Sequence, residues 1–118
     1  ERRAMTSLTI NRLSPEIGTS PQLAAADMPA VAAAGFRSVI NNRPDHEGGP
    51  TQPTSAEIEA AARAAGLAYA HLPVQPAVQS AEEAAALGQL LKNLPKPTLL
   101  FCRSGSRSAK LFRSSQGL

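Results

Sequence analysis

Apolar and polar positions alternate through Leu8-Thr9-Ile10-Asn11-Arg12-Leu13, the period of an edge strand with one buried face. Ser14-Pro15-Glu16 reads as a turn, and Ile17-Gly18-Thr19-Ser20 as a second short strand, so the two predict a hairpin at one sheet edge. A helical spacing follows from about residue 21 or 23 to Ala34, with Ser20 as capping hydroxyl and Pro21 in the first turn. Leu23, Met28, Val31 and Ala32 fall on one face of it, and Gly35 closes it. Residues 36–41 are rich in branched and aromatic side chains and read as a strand.

The second half repeats the scheme. Residues 42–53 form a polar loop with three prolines and two glycines, long enough to suggest a working role. Thr54-Ser55-Ala56-Glu57 is a capping box for an alanine-rich helix ending at Gly66, and residues 67–72 read as a strand. Residues 73–79 are a loop, Ser80-Ala81-Glu82-Glu83 is a second capping box, and its helix runs to about Asn93. Pro95-Lys96-Pro97 breaks the pattern before a short apolar strand over residues 98–101 and a final helix from near Ser106. Strands alternating with helices predict an α/β domain: a mainly parallel central sheet with helices on both faces, in three layers. Sites in such sheets collect at the carboxyl ends of the strands. The loops at 42–45, 73–75 and 102–107 are therefore expected to meet.

The third of these loops carries the chemistry. Leu99-Leu100-Phe101-Cys102-Arg103-Ser104-Gly105-Ser106-Arg107-Ser108 reads as strand, sharp turn and helix start, with the only cysteine at the turn. Free N–H groups at a helix N-terminus and the positive end of its dipole both stabilise an anion, and so favour a nucleophilic thiolate. Gly105 permits the tight turn that brings amides over the sulfur. Arg103 and Arg107 add charge, and a guanidinium can hold an oxyanion through two hydrogen bonds at once. Ser104, Ser106 and Ser108 are candidate donors in the same anion-binding loop, although small residues also suit a tight turn.

Bulk properties narrow the setting. The chain has 118 residues, enough for one modest core, and the fold is expected to occupy residues 6–118. Residues 1–5 look foreign to it, with Met5 a natural start, and the short last helix suggests a truncated or excised domain. No run is long and apolar enough to cross a bilayer and no leader pattern is present, so a cytoplasmic protein with no membrane partner is expected. A single cysteine excludes an internal disulfide and suits a reducing compartment. No group of side chains has metal-ligand spacing, and neither a metal nor another cofactor is expected. Net charge is +3 with only 3 % aromatics, too few stacking side chains for a nucleic-acid partner. A small anionic substrate fits better.

The loop from Cys102 to Ser108 resembles the active-site loop of rhodanese-type sulfurtransferases and is similar to that of cysteine-dependent phosphatases. The wider chain resembles the phosphatase-like domain of beta-lactamase-hydrolase-like proteins, through residues 36–45, His71-Leu72-Pro73-Val74 and residues 101–108. The resemblance spans roughly residues 8–112. It implies a bacterial domain with a cysteine-phosphatase-like three-layer fold, or a rhodanese-like one as second choice. It also implies Cys102 as nucleophile and Arg107 as the oxyanion contact.

Two reactions use such a thiolate, both by covalent catalysis. A sulfurtransferase takes a sulfane sulfur from thiosulfate or a persulfide onto the cysteine and passes it to a thiophilic acceptor. A phosphotyrosine- or dual-specificity-like phosphatase forms a phosphocysteine that water hydrolyses. The phosphatases place five residues between cysteine and arginine, whereas four separate Cys102 from Arg107. They also carry an aspartate in the loop after the preceding strand, whereas residues 73–79 hold no carboxylate, and many have histidine where Phe101 stands. These departures favour sulfur transfer, with phosphatase chemistry as the alternative. A third reading is a redox or anion-sensing module attached to another enzyme, since relatives are fused to sulfide-oxidising and metallo-hydrolase domains. Beyond the loop, Arg43 and Asp45 are expected to pair and hold the 42–53 loop, with Asp45 a conceivable substitute acid. His46 is expected in solvent and His71 in a structural hydrogen bond.

Overall fold

The computed structural model describes residues 8–76 and 79–117, so the expectation for residues 1–5 lies outside the described residues. Among the described residues five strands and four α-helices follow one another: β1 (Asn11–Ser14), β2 (Ile17–Ser20), α1 (Met28–Ala33), β3 (Ser38–Asn41), α2 (Ser55–Ala64), β4 (Ala68–His71), α3 (Ala81–Asn93), β5 (Thr98–Phe101) and α4 (Ser106–Ser115). They form one sheet in the order β1-β2-β5-β3-β4. β1 and β2 make the expected antiparallel hairpin at one edge, while β2, β5, β3 and β4 run parallel.

Side-chain alternation explains the layers. Val39 on β3 and Leu99 and Phe101 on β5 face a cluster with Met28, Val31, Ile58 and Ala62, which brings α1 and α2 onto one side. Ile40 and Leu100, one residue out of phase, face Leu87, Leu91 and Leu111, which brings α3 and α4 onto the other. Buried on both faces, β5 reads Thr-Leu-Leu-Phe with no outward polar position, as central parallel strands do. Arg12 adds its guanidinium over the Phe36 ring, 4.5 Å from the centroid, on the hairpin side.

Both expected capping boxes form. Thr54 Oγ1 accepts from Glu57 N at 3.2 Å and Ser80 Oγ accepts from Glu83 N at 3.0 Å, with each glutamate accepting in return from its cap's N–H at 2.8 Å. The first helix differs from expectation. Ser20 does not cap it: register with Phe101 keeps Ser20 in β2, and its hydroxyl donates to the Pro21 carbonyl at 2.9 Å. The chain stays extended to Ala24, makes a 3-10 turn at Ala25–Asp27, and only then enters α1. Asp27 closes that 3-10 turn instead, its carboxylate accepting from Ala24 N at 2.8 Å.

Register places the site. Thr19↔Leu100 and Ser20↔Phe101 pair on one side of β5, and Ile40↔Leu100 and Asn41↔Phe101 on the other; Asn41 in turn pairs with His71. The four parallel strands therefore end level, and the segments after each emerge along one rim. Among the described residues no helix is long and apolar enough to cross a membrane.

Leu100 is fully buried in the middle of this arrangement. Leu100→Ala is expected to lower unfolding stability by about 2–5 kcal/mol through lost transfer energy and the cavity left behind. Chemical denaturation measures it, and a loss under about 1 kcal/mol would contradict this packing.

Candidate active site

The chain leaves β5 at Phe101 and re-enters helix at Ser106, so only four residues, 102–105, make the turn. Gly105 caps α4 at φ 94°, a left-handed conformation that costs a side-chain-bearing residue energy. The turn folds the Gly105 N–H back onto the cysteine, where it donates to Cys102 Sγ at 3.0 Å. Cys102 is 1 % exposed, at the inner end of the turn. The sulfur thus has a main-chain N–H aimed at it, as the strand–turn–helix reading requires.

The remaining loop residues divide into exposed and buried. Arg103, Ser104 and Ser106 are exposed at the rim, and Ser104 Oγ accepts from Ser106 N at 3.4 Å. Ser108 is fully buried and its hydroxyl donates to Asn42 Oδ1 at 2.8 Å, so that donor is engaged between α4 and the end of β3. Asn42 Nδ2 continues the link to the Leu72 carbonyl at 3.0 Å.

Arg107 is 7 % exposed and points across the rim to the 42–53 loop. Its Nη1 and Nη2 each donate to a different oxygen of Glu47 at 3.1 Å, and Nη1 donates also to the Val74 carbonyl at 3.2 Å. Among the described residues its buried Nε has no partner. Glu47 also accepts from Arg43 Nε at 2.8 Å, so one carboxylate joins two guanidiniums. Burial alone would raise the Glu47 carboxyl, but hydrogen bonds from Arg107 and Arg43 and their charges outweigh it and hold the group below its ordinary value.

The expected Arg43–Asp45 pair does not form. Residues 44–49 wind through successive turns, with Glu47 N donating to the Pro44 carbonyl and Gly49 N to that of His46. That winding sets the fourth residue on, Glu47, beside Arg43. Asp45 faces outward and accepts from Ser55 N at 2.7 Å at the start of α2, where the helix dipole favours a negative charge. Gly48 lets the loop lie close over Arg43: a Cβ there would come 2.6 Å from Nη2 and displace that guanidinium. His46 is exposed, and His71 Nε2 lies 2.9 Å from the Arg43 carbonyl in a structural contact.

A buried polar chain steadies this loop. Arg43 N donates to Asn41 Oδ1 at 2.9 Å, Asn41 Nδ2 donates to Tyr69 Oη at 3.1 Å, and Tyr69 Oη and Ser55 Oγ are 2.6 Å apart. Burial raises the Tyr69 hydroxyl above its ordinary value despite its hydrogen bonds to Ser55 and Asn41, so it stays protonated.

The three expected loops meet, and a fourth joins them. Gln22, in the segment after β2, donates from its N–H to the Arg103 carbonyl at 3.2 Å, and its Oε1 accepts from Arg43 Nη1 at 2.9 Å. Between these segments lies a cleft of about 610 Å³ lined by Arg43, Glu47, Gly48, Pro76, Arg103, Ser104, Ser106 and Arg107. Sequence reasoning missed Glu47, Gln22 and Asn42. The spacing of Glu47 four residues after Arg43 was the one local signal available. Among the described residues, no three His, Cys, Asp or Glu side chains group as metal ligands.

The model of the phosphatase-like domain of beta-lactamase hydrolase-like proteins matches residues 9–118. The beta-lactamase hydrolase-like protein of Agrobacterium fabrum is 32 % identical over 107 residues, which cover 91 % of this chain and 25 % of that protein. The chain thus spans about a quarter of the length of that curated relative. Among solved structures, a candidate phosphatase from Neisseria meningitidis superposes with a TM-score of 0.82 at 31 % identity, covering 98 % of this chain and 81 % of that one. P. aeruginosa TpbA, solved as a cysteine-to-serine form in complex with phosphotyrosine, gives a TM-score of 0.65 at 17 % identity over 99 % of this chain and 70 % of its own, and shares the fold. The fold is that of the cysteine phosphatases. The chain belongs to the family of phosphatase-like domains found in beta-lactamase hydrolase-like proteins.

Proposed function

We propose that the chain is a cysteine-dependent phosphatase acting on a small anionic phosphomonoester. The observation that carries this is the state of Arg107. A guanidinium has five N–H donors, and the contacts to Glu47 and Val74 engage three of them. What remains is the edge formed by Nε and the second N–H of Nη2. Nε is buried without a partner, a cost of about 1–3 kcal/mol that an acceptor would relieve. Two parallel donors on one edge fit two oxygens of a tetrahedral oxyanion.

In this reading Cys102 Sγ attacks phosphorus, and the S–P bond forms as the bond to the leaving oxygen breaks. Arg107 and the loop amides hold the phosphoryl oxygens while charge builds on them. Water then attacks the phosphocysteine, releasing phosphate and the thiolate. Arg103, Ser104, Gly105 and Ser106 would line the anion's approach, with Ser108, through Asn42, fixing the pitch of α4. Arg43 would act through Glu47, and Asp45 through the start of α2.

The four-residue spacing between Cys102 and Arg107 and the missing carboxylate in residues 73–79 favour sulfur transfer. The relatives and structural neighbours support the alternative better. The phosphotyrosine complex of TpbA, similar in fold, supports a small anionic phosphoester as substrate.

With p-nitrophenyl phosphate, Cys102→Ser is expected to abolish phosphate release. Arg107→Lys is expected to lower kcat/KM by about 100-fold or more, because one point charge replaces the fork. Intact mass after rapid quench should show a phosphoryl adduct on Cys102. A sulfur adduct from thiosulfate, with thiocyanate formed from cyanide and no phosphate release, would replace this reading with sulfur transfer.

Glu47 makes a second, independent prediction. Its folded carboxyl titrates below its unfolded value, so it adds stability that is full above the ordinary glutamate range and is lost as pH falls through the folded value. Denaturant midpoints measured from neutral pH downward should fall more steeply for the wild type than for Glu47→Gln. Parallel curves would show that the carboxylate contributes no such linkage.

A further inference from the structure

A phosphoryl group leaves an ester oxygen readily only if that oxygen can carry the departing electron pair. An alkoxide needs a proton as it leaves; the anion of an acidic phenol does not. Which esters a thiolate phosphatase cleaves therefore depends on whether a proton donor stands over the leaving group.

The donors can be taken in turn. Residues 73–79, which follow β4 and border the cleft through Pro76, contain no acidic, histidine or other side chain that titrates. Asp45 and His46 are exposed and neither lines the cleft, and Asp45 is bound to the N–H of Ser55 at the start of α2. His71 is committed to the Arg43 carbonyl at 2.9 Å. Tyr69 is held by Asn41 and Ser55. Among the described residues Glu47 is the one carboxylate lining the cleft, and both its oxygens accept from guanidiniums. An ionised carboxylate has no proton to give. The other side chains around the cleft are arginines, which do not release a proton near neutrality, and the serines Ser104 and Ser106, whose hydroxyls are far weaker acids than a carboxyl.

We infer that this site cleaves phosphate esters of weakly basic leaving groups, such as acidic phenols, and not simple alkyl phosphates. The inference rests on the phosphatase reading above and narrows its substrate class. In the first step the Cys102 thiolate supplies the electron pair of the new S–P bond. The electrons of the P–O bond depart with the leaving oxygen as a phenolate, and no proton is transferred. In the second step water adds to phosphorus, its proton passes to solvent, and the S–P electrons return to Cys102.

The test is a leaving-group series with the full chain: 2,4-dinitrophenyl, 4-nitrophenyl and phenyl phosphate, with glycerol phosphate as the alkyl case. The ratio kcat/KM reports the first step only, so hydrolysis of the phosphocysteine does not enter it. A positioned acid contributes about 100- to 10,000-fold and levels such a series. The expected result is a fall of more than about 100-fold in kcat/KM from dinitrophenyl to phenyl phosphate, with no turnover of glycerol phosphate. A shallower fall, or turnover of glycerol phosphate, overturns the inference and leaves the phosphatase reading standing. Failure to turn over even the dinitrophenyl ester, with no phosphoryl adduct on Cys102, removes the phosphatase reading and this inference with it.

Discussion

The molecule depends on one constraint: β5 is hydrogen-bonded on both sides, in parallel and in a single register. Because Phe101 lies level with Ser20 and with Asn41, and Asn41 with His71, four strands stop at one height. A slip of one residue would exchange Leu99 and Phe101 with Leu100 between the two cores, which the differing partners of those clusters oppose. The site inherits its accuracy from that pairing. Cys102 stands one residue beyond the common end, and the segments that meet it start from neighbouring strands.

Above the rim the organising force is electrostatic. Arg43 and Arg107 share the single carboxylate of Glu47, so the cluster keeps one positive charge in excess. Burying two guanidiniums without any counter-charge would be costly. Neutralising both fully would leave little attraction for an anion. The arrangement between these extremes keeps Arg107 folded in place and still leaves one edge unmet. The polar chain through Asn41, Tyr69 and Ser55 holds the backbone at Arg43.

What could be read from the sequence was local. Thr54 with Glu57, Ser80 with Glu83, and the strand–turn–helix around Cys102 each place their partners within a few residues, so pattern and structure agree. The alternation of strands and helices likewise gave the layers. What was hidden is long-range. Arg107 meets Glu47 across 60 residues and Ser108 meets Asn42 across 66, and neither pairing leaves a periodic trace. Ser20 misled because its side chain suits a cap while its backbone is needed by the sheet. Asp45 misled because it lies nearer Arg43 in sequence than Glu47 does, although the turns at 44–49 reverse that order in space. The choice of reaction divides for a related reason: the residues alone favour sulfur transfer, and the relatives and fold favour the phosphatase reading. Loop spacing and a missing acid describe what a thiolate lacks around it, whereas kinship and fold describe the site as a whole.

The hairpin at the sheet margin has a consequence for how the molecule meets copies of itself. β1 is only four residues long, and its register shifts between Arg12 and Ser14, so its outer row of amides and carbonyls is short and uneven. β4 at the opposite margin is equally brief. Neither border offers the long flat template on which a foreign strand could lengthen the sheet, and such blunted borders discourage fibrous self-association even where many chains crowd together.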